Sequence, residues 1–260
     1  MAAELRLIDV NLSFGGIKVL TEVGFNVEPG QIFGLVGPNG AGKTSLFNCI
    51  SGHYRPSSGS IIIDGVEVLG SAPATLARHG LARTFQQPAL RLEATVLENV
   101  LLGAHTRLPG GPIEWSLRLR RVTRSERELR TEALELLDRN RLGWAANRRV
   151  DELSHGLHKG IELCRALLSR PKLLLLDEPA AGLSHTEVEQ LIGTVRRLRV
   201  EEDITVVIVE HHMGLIAALT DRVVVLDHGR KLMDGTAAEA QSDPRVIEAY
   251  IGKDAADDVA

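Results

Sequence analysis

The sequence predicts an α/β fold in which parallel strands are connected by helical crossovers. Short runs of Val, Ile and Leu alternate with helical patterns along most of the 260 residues. The composition, 44% hydrophobic and 25% charged, is globular, and a chain of this length can bury a large core without disulfides or metals. We therefore expect one α/β domain that covers residues 1–260.

In the first part of the chain, glycine-rich breaks separate strand-like segments from one helix. We predict a helix at 43–51 and strands at 5–10, 17–27, 32–36 and 61–64. The segment at 32–36 is apolar throughout, as in a strand buried on both faces, and it runs into a glycine-rich loop. The Pro-Ser-Ser-Gly segment at 56–59 predicts the turn before the last of these strands.

The middle of the chain changes character. A helix is predicted at 96–105, and the cluster Pro-Gly-Gly-Pro at 109–112 breaks it. Between Arg107 and Arg149 there are eleven arginines and six acidic residues, a balance of +5 by subtraction. This composition favours a solvated helical subdomain with an Arg-rich face. Contact with phosphate, lipid headgroups or the acidic face of a partner is the alternative.

In the last third of the chain, predicted strands and helices alternate again. We predict helices at 156–169 and 186–199, strands at 173–176, 204–209 and 222–226, and a short helix between the last two strands. The segment 253–260 is acidic and rich in small residues, so we expect a flexible tail.

Charge and hydropathy exclude several classes of protein. The formal net charge of −4 argues against a nucleic-acid partner. Cys49 and Cys164 lie far apart within apolar helical patterns, which favours two reduced thiols. No run approaches the roughly 20 apolar residues that span a bilayer, and the first residues lack the apolar core of a signal peptide. We expect a cytoplasmic protein that reaches the membrane only through a partner.

The strongest motif is Gly37-Pro-Asn-Gly-Ala-Gly42-Lys43-Thr44, which matches G-x-x-x-x-G-K-[ST] in full. It lies between a predicted strand and a predicted helix, as its chemistry requires. The glycines let backbone N–H groups curl around phosphate oxygens at the positive end of a helix dipole. Lys43 adds a point charge at the β- and γ-phosphates, and the Thr44 hydroxyl can ligate Mg²⁺. The motif predicts a nucleoside triphosphate site.

A second motif follows the buried run Leu173-Leu-Leu-Leu176, which ends in Asp177 and Glu178. Ligands of α/β proteins bind at the carboxyl ends of such strands. Asp177 is expected to hold Mg²⁺ through water, and Glu178 to polarise the attacking water. The pattern alone is moderately specific; together with the glycine-rich loop it predicts nucleotide hydrolysis.

Several further segments resemble the ATP-binding-cassette (ABC) ATPases, and the resemblance extends over most of the chain. Leu153-Ser154-His155-Gly156 resembles the LSGGQ signature and precedes the carboxylate strand by one helix, as in that family. Four more segments resemble the adenine-stacking aromatic, the Q-loop, the D-loop and the switch histidine: Phe14, Gln86, Ala181-Gly182-Leu183-Ser184 and His211. Each is weak alone, but their order along the chain is that of the family.

The resemblance implies a P-loop NTPase of ABC type. It has a mixed sheet core, an N-terminal antiparallel β portion, an inserted helical subdomain at 87–165 and a C-terminal helical extension at 236–252. ATP with Mg²⁺ is implied as the ligand, held between two copies in a head-to-tail dimer. Catalytic roles are implied for Glu178, His211 and Gln86, and magnesium contacts for Thr44, Gln86 and Asp177. Nucleotide contacts are implied for Phe14, Gly37, Pro38, Asn39, Gly40, Ala41, Gly42, Lys43, Thr44, Ser45, Ser154 and Gly156.

Two positions depart from the family pattern. Leu157 stands where the signature usually has Gln, and Gly160 where Arg is frequent. In relatives that Gln lies near the ribose, so we predict modestly slower turnover rather than inactivity.

Softer resemblances favour the larger ATPase subunit of branched-chain (hydrophobic) amino acid importers. They are Phe14-Gly15-Gly16, Ala82-Arg-Thr-Phe-Gln86, Glu162, Glu210-His211, 243–252 and the Arg-rich insertion after His105. Importers of urea or short amides share these features, so related small solutes stay open. Such a subunit pairs with a second ABC ATPase, identical or paralogous, and with two permease subunits, and depends indirectly on a solute-binding protein. Its place is the inner face of the cell membrane. The alternatives are the ATPase of lipopolysaccharide export, a non-transport ABC ATPase, and a generic P-loop kinase or GTPase. A kinase or GTPase gives no reason for the signature-like segment at 153–156, and it would need a base-specificity motif such as N-K-x-D, which this sequence lacks.

Overall fold

The computed structural model describes residues 1–107 and 120–257, and the side chains of 120–122 and 251–257 are not described. The chain folds as two compact units. The first combines Met1–Arg83 with Lys172–Ala260, and the second is Thr84–Pro171. The predicted breaker cluster at 109–112 and the last three residues of the predicted tail lie outside the described residues.

Two sheets form the frame of the first unit. An antiparallel sheet with the order β2-β1-β4-β5 contains β1 (Leu5–Phe14), β2 (Ile17–Val27), β4 (Ser58–Ile63) and β5 (Val66–Glu67). A six-stranded sheet with the order β10-β9-β3-β8-β7-β6 contains β3 (Ile32–Val36), β6 (Leu81–Arg83), β7 (Leu173–Asp177), β8 (Thr205–Val209), β9 (Arg222–Asp227) and β10 (Arg230–Gly235).

The six-stranded sheet is mixed, because β10 runs antiparallel to β9 while the other neighbours are parallel. Every residue of β3, β7 and β8 is buried, which explains why these strands are continuous aliphatic runs. The prediction of a mixed sheet with an N-terminal antiparallel β portion is confirmed. Since β3 and β7 are both parallel neighbours of β8, their carboxyl ends meet at one edge of the sheet.

Helices cover this frame. They are α1 (Lys43–Ile50), α2 (Pro73–Arg78), α6 (His185–Glu202), α7 (Met213–Leu219), α8 (Ala237–Ser242) and α9 (Pro244–Asp257). Ser184 caps α6 and Thr236 caps α8, each in a capping box with the glutamate three residues on. The core of the unit includes side chains from both sheets and from α1, with Phe33 and Phe47 among the largest that are fully buried.

The second unit is helical in its described part. It contains α3 (Val96–Leu101), α4 (Arg120–Arg139) and α5 (His155–Leu168), with 3₁₀ turns at Leu102–Ala104, Gly143–Ala145 and Val150–Glu152. Thr95 and Glu98 form a capping box at the start of α3. The apolar faces of these helices share one core, and Glu132 of α4 accepts from both Arg107 and Arg170.

Several boundaries differ from the predictions. β1 continues to Phe14 rather than ending at 10, because a bulge with Asp9 at φ 46° breaks the alternation that sequence reading follows. The helix predicted at 96–105 tightens to a 3₁₀ turn after Leu101. The last helix continues to Asp257, past the predicted start of the tail at 253, since Ala255 and Ala256 favour helix.

Four elements are absent from the sequence-based predictions: β5, α2, β6 and β10. Three of them are too short for a hydrophobic period to show, as β6 has only three residues and β5 two. β10 has six residues but is polar and forms the edge of the sheet, so it lacks the aliphatic run of its neighbours. The omission matters most for β6, because its last residue contacts the predicted site.

Candidate functional site

The glycine-rich loop joins the end of β3 to the start of α1. Gly37 adopts φ 147° and Gly42 φ 100°, and a Cβ at Gly37 would lie 2.2 Å from the Leu226 carbonyl oxygen. Gly42 ends the loop as the N-cap of α1 without a side-chain cap, so the first amides of the helix face the loop. This glycine-lined cradle of backbone amides fits a phosphate group.

Lys43 is buried within this loop. Its ammonium donates to the carbonyl oxygens of Gly37 at 2.6 Å and Pro38 at 3.0 Å, and the residue is only 7% exposed. Thr44 follows it and is exposed, whereas Ser45 is half-buried. The loop therefore contains a fixed positive charge next to an exposed hydroxyl, the pair that the motif predicts.

The two carboxylates lie where β7 ends. Asp177 is buried as the last strand residue, and Glu178 follows with φ 43°, in the left-handed region that a side chain rarely adopts. The Glu178 amide donates to the Val209 carbonyl oxygen at 3.0 Å, which fixes this turn against β8. Strained backbone of this kind is typical of functional sites, where surrounding contacts hold a side chain in place.

Arg83, which the sequence analysis included only in a subfamily resemblance, contacts Asp177. Its Nη2 lies 2.7 Å from Asp177 Oδ2, and its Nη1 donates to Asn48 Oδ1 and Ser51 Oγ, each at 2.7 Å. The guanidinium also lies over the Phe47 ring, 5.6 Å from its centroid. Arg83 thus ties the helix that follows the glycine-rich loop to the carboxylate strand.

The end of β8 contributes Glu210 and His211. Glu210 is fully buried and accepts from the Ala180 amide at 2.8 Å and the His211 amide at 3.2 Å. The His211 side chain is 60% exposed, with Nδ1 3.8 Å from a Glu210 oxygen. Glu210 therefore links the segment after Glu178 to the backbone that presents His211, while His212 caps α7 by accepting from the Leu215 amide.

Phe14 ends β1 as a half-exposed ring. It is 48% exposed and stands edge-on to Tyr54, with ring centroids 5.2 Å apart and an interplanar angle of 80°. A ring that served the core would be buried, so its exposure favours the adenine-stacking role over a structural one. No motif in the sequence marks Tyr54 as a partner of Phe14, so this pairing could not be predicted.

In the second unit, Gln86 is exposed and lies between two anchored residues. The Phe85 amide donates to Glu162 Oε2 at 3.2 Å, and the Ala89 carbonyl oxygen accepts from Arg165 Nη1 at 2.6 Å. Glu162 is 1% exposed, and burial raises the pKa of its carboxyl although Arg165 and the Phe85 amide work in the opposite direction.

The predicted signature segment forms the start of α5. Ser154 is the N-cap, exposed and without a side-chain bond to the helix, and Gly156 lies in the first turn. A helix start with an exposed hydroxyl is suited to an anion. Leu157, by contrast, packs against the core of the second unit, and a Cβ at Gly160 would meet Leu142 at 3.1 Å. At both positions where the sequence departs from the family pattern, the residue present is explained by packing within the second unit.

The expected magnesium contacts all carry oxygen donors, the type that this hard cation prefers. Thr44, in the first turn of α1, and Asp177, at the end of β7, belong to the first unit, and Gln86 belongs to the second. Within the first unit, the Thr44 hydroxyl and the Asp177 carboxylate are donors that fit a cation bound together with nucleotide phosphates.

These features define the class of protein. The parts of a nucleotide-binding cassette are present. They are the phosphate cradle after β3, the two carboxylates at the end of β7, and the helix α5, whose N-cap serine makes no side-chain bond to the helix. A family model described as "ABC transporter" matches residues 20–181, and the chain belongs to this family. A second model, "Branched-chain amino acid ATP-binding cassette transporter", matches residues 230–256.

Individual relatives resemble nearly the whole chain. The branched-chain amino acid transport ATP-binding protein BraF of Pseudomonas aeruginosa is 38% identical, over 96% of this chain and 98% of that protein. LivG of Escherichia coli is 36% identical, over 95% and 98%. The ADP conformation of MJ1267, an ATP-binding cassette of an ABC transporter, has a TM-score of 0.83 at 30% identity and covers 97% of this chain and 100% of that chain.

Within residues 1–107 and 120–257, no helix is long and apolar enough to cross a membrane.

Proposed function

We propose that this chain is the ATP-hydrolysing subunit of an importer for branched-chain amino acids or related small solutes. One observation supports the hydrolytic role above the others: Glu178 is held in strained backbone directly after buried Asp177, at the sheet edge next to the glycine-lined cradle. The relatives named for branched-chain amino acid transport, and the family model that matches 230–256, support the solute class.

In this proposal each residue acts on ATP through its position. Backbone N–H groups of the glycine-rich loop and of the first turn of α1, with the side chains of Lys43, Thr44 and Ser45, hold the phosphates, and Phe14 stacks on adenine. The Glu178 carboxylate orients and polarises the attacking water, while His211 donates to the γ-phosphate. Glu210 fixes the position of His211 relative to the segment after Glu178, because its carboxylate accepts from a backbone amide of each.

Thr44, Asp177 and Gln86 are the residues that would hold Mg²⁺. The ion would neutralise charge on the phosphate oxygens. Arg83 takes one oxygen of Asp177, which leaves the other oxygen for the metal or a water bound to it.

The assembly in this proposal is a head-to-tail dimer. Ser154 and the amides at the start of α5, with Gly156, complete the site of a second ABC ATPase subunit, identical or paralogous. Two permease subunits and, through them, a solute-binding protein are the remaining partners. No nucleic acid is involved. The chain then works at the cytoplasmic face of the membrane, attached through the permeases.

The other candidates have less support. A lipopolysaccharide-export ATPase or a non-transport ABC ATPase would share the cassette, but neither accounts for the match at 230–256 to a branched-chain amino acid transporter model.

Reconstituted uptake tests the proposal. The tagged chain is purified with the membrane proteins that it retains, placed in liposomes with ATP inside, and supplied with radiolabelled leucine and the matching solute-binding protein. We expect ATP-dependent uptake that Glu178→Gln abolishes and that the exposed Glu201→Gln leaves intact. Uptake that survives Glu178→Gln would remove the proposed role of Glu178, and hydrolysis without uptake of any branched-chain amino acid would remove the solute class.

A further inference from the structure

Glu162 is a buried carboxylate on α5 that none of the roles above uses. It lies eight residues after Ser154, so about 12 Å of helix separates the two. Its side chain is 2% exposed, and a buried charge must be compensated by partners. Oε1 accepts from Arg165 Nη2 at 3.0 Å, and Oε2 accepts from the Phe85 amide at 3.2 Å.

Arg165 completes a clamp on the segment that contains Gln86. The same guanidinium that pairs with Glu162 donates its Nη1 to the Ala89 carbonyl oxygen at 2.6 Å. The backbone is thus fixed one residue before Gln86 and three residues after it, both times to side chains of α5. Gln86 itself stays exposed between the two anchors.

Both anchors lie on α5, the helix that has Ser154 as its N-cap and Gly156 in its first turn. A hydrogen-bonded helix of 14 residues moves as a rigid element, so a displacement of the Gln86 segment is passed along it. Both bonds involve a charged group, which makes them stronger than bonds between neutral partners.

We propose that Glu162 and Arg165 are positioning residues that couple the Gln86 segment to the start of α5. The clamp fixes the relative placement of Gln86 and Ser154, the two nucleotide-directed groups of the second unit. This inference rests on the proposed function, because it takes both groups to serve ATP.

The test compares Glu162→Ala, which removes both acceptors, with Glu162→Gln, which keeps an acceptor for the Phe85 amide but loses the charge. Exposed Glu135→Gln, in the same unit, is the control. Hydrogen exchange followed by mass spectrometry measures the peptide that covers residues 84–90. We expect exchange in Glu162→Ala to rise roughly tenfold or more, with a smaller rise in Glu162→Gln and none in the control.

Steady-state hydrolysis gives the second readout. We expect kcat to fall roughly tenfold in Glu162→Ala, with partial recovery in Glu162→Gln, while KM for ATP and the affinity of the monomer for a fluorescent ATP analogue stay within about twofold. A merely structural role would lower nucleotide affinity and kcat together with the melting temperature. That outcome, or unchanged exchange at 84–90, overturns the inference.

Arg165→Met is a further variant if Glu162→Ala does not fold, and the same exchange result is expected for it. If the wild-type protein does not hydrolyse ATP, the proposed function fails, but exchange at 84–90 still decides whether the clamp exists.

Discussion

Arg83 and Asp177 form a buried ion pair, with 2.7 Å between Nη2 and Oδ2 and 6% of each side chain exposed. The pair joins a three-residue strand to the carboxylate that we expect to serve Mg²⁺. Because Arg83 also donates to Asn48 in the last turn of α1 and to its C-cap Ser51, one guanidinium joins the C-terminal end of this helix to the end of the carboxylate strand. These contacts hold the Asp177 carboxylate in a fixed position by interactions within the first unit alone.

Arg83→Met should destabilise the protein by about 3 kcal/mol, since it leaves the Asp177 charge buried without its partner. Urea unfolding followed by circular dichroism measures the change. Arg78→Met, an exposed arginine of α2, is the control and should stay within about 0.5 kcal/mol of wild type. Adding Asp177→Asn to Arg83→Met should recover part of the loss; if the double variant is no more stable than Arg83→Met alone, the buried pair is not the cause.

Lys43→Ala should weaken ATP binding by roughly 2–4 kcal/mol, the effect of truncating a buried charge that faces an opposite charge. The ammonium is already fixed by the Gly37 and Pro38 carbonyl oxygens, so no ordering is needed when a phosphate binds. Titration with a fluorescent ATP analogue measures the affinity. Lys172→Ala, a half-exposed lysine paired with Asp64, should bind as wild type does. An unchanged affinity in Lys43→Ala would contradict the role of this lysine.

The chain's local motifs were enough to predict the glycine-rich loop between β3 and α1 and the buried strand β7 with its carboxylates. In each of these two motifs, the strand, the turn and the functional side chains are neighbours in sequence. A window of about ten residues therefore contains all that is needed to recognise the motif. The fold class followed because strands buried on both faces must be aliphatic throughout.

The contacts that support the site could not be predicted in the same way. Arg83 and Asp177 are 94 residues apart in sequence, and only the pairing of β6 with β7 brings them together. Leu157 is similar: its sequence position suggested a missing nucleotide contact, but the helix turns it toward the core of the second unit. Neither the contact of Arg83 with Asp177 nor the orientation of the Leu157 side chain can be read from a local sequence pattern.

Phe14→Ala should weaken ATP binding by about 1–2 kcal/mol, the usual effect of losing one aromatic platform for a base. Phe14→Tyr should bind nearly as wild type does, because the ring is retained. Ile8→Ala removes a similarly exposed apolar side chain from the same strand and is the control. Comparing ATP with inorganic triphosphate separates base from phosphate: the loss should appear with ATP alone, and an equal loss with both ligands would rule out stacking.

The ion pairs of Glu132 should make part of the free energy of unfolding sensitive to acid. Burial opposes its charge, but bonds from Arg107 and Arg170 outweigh that effect and hold the pKa of the carboxyl below its usual range. Since the folded pKa is lowered, the contribution to stability is present above the unfolded pKa and is lost as pH falls through the folded value. Glu132→Gln should therefore be less stable than wild type at pH 7, by about 1 kcal/mol because the group is partly exposed.

The difference between wild type and Glu132→Gln should shrink as pH falls below about 4, where the carboxyl of the unfolded chain is already protonated. Urea midpoints between pH 7 and pH 3, read from tryptophan fluorescence to which Trp144 of the second unit contributes, measure it. Exposed Glu135→Gln should show no such convergence. A gap that stays constant across this range would mean that Glu132 stabilises the unit by shape and not by its charge, because only the charge disappears on protonation.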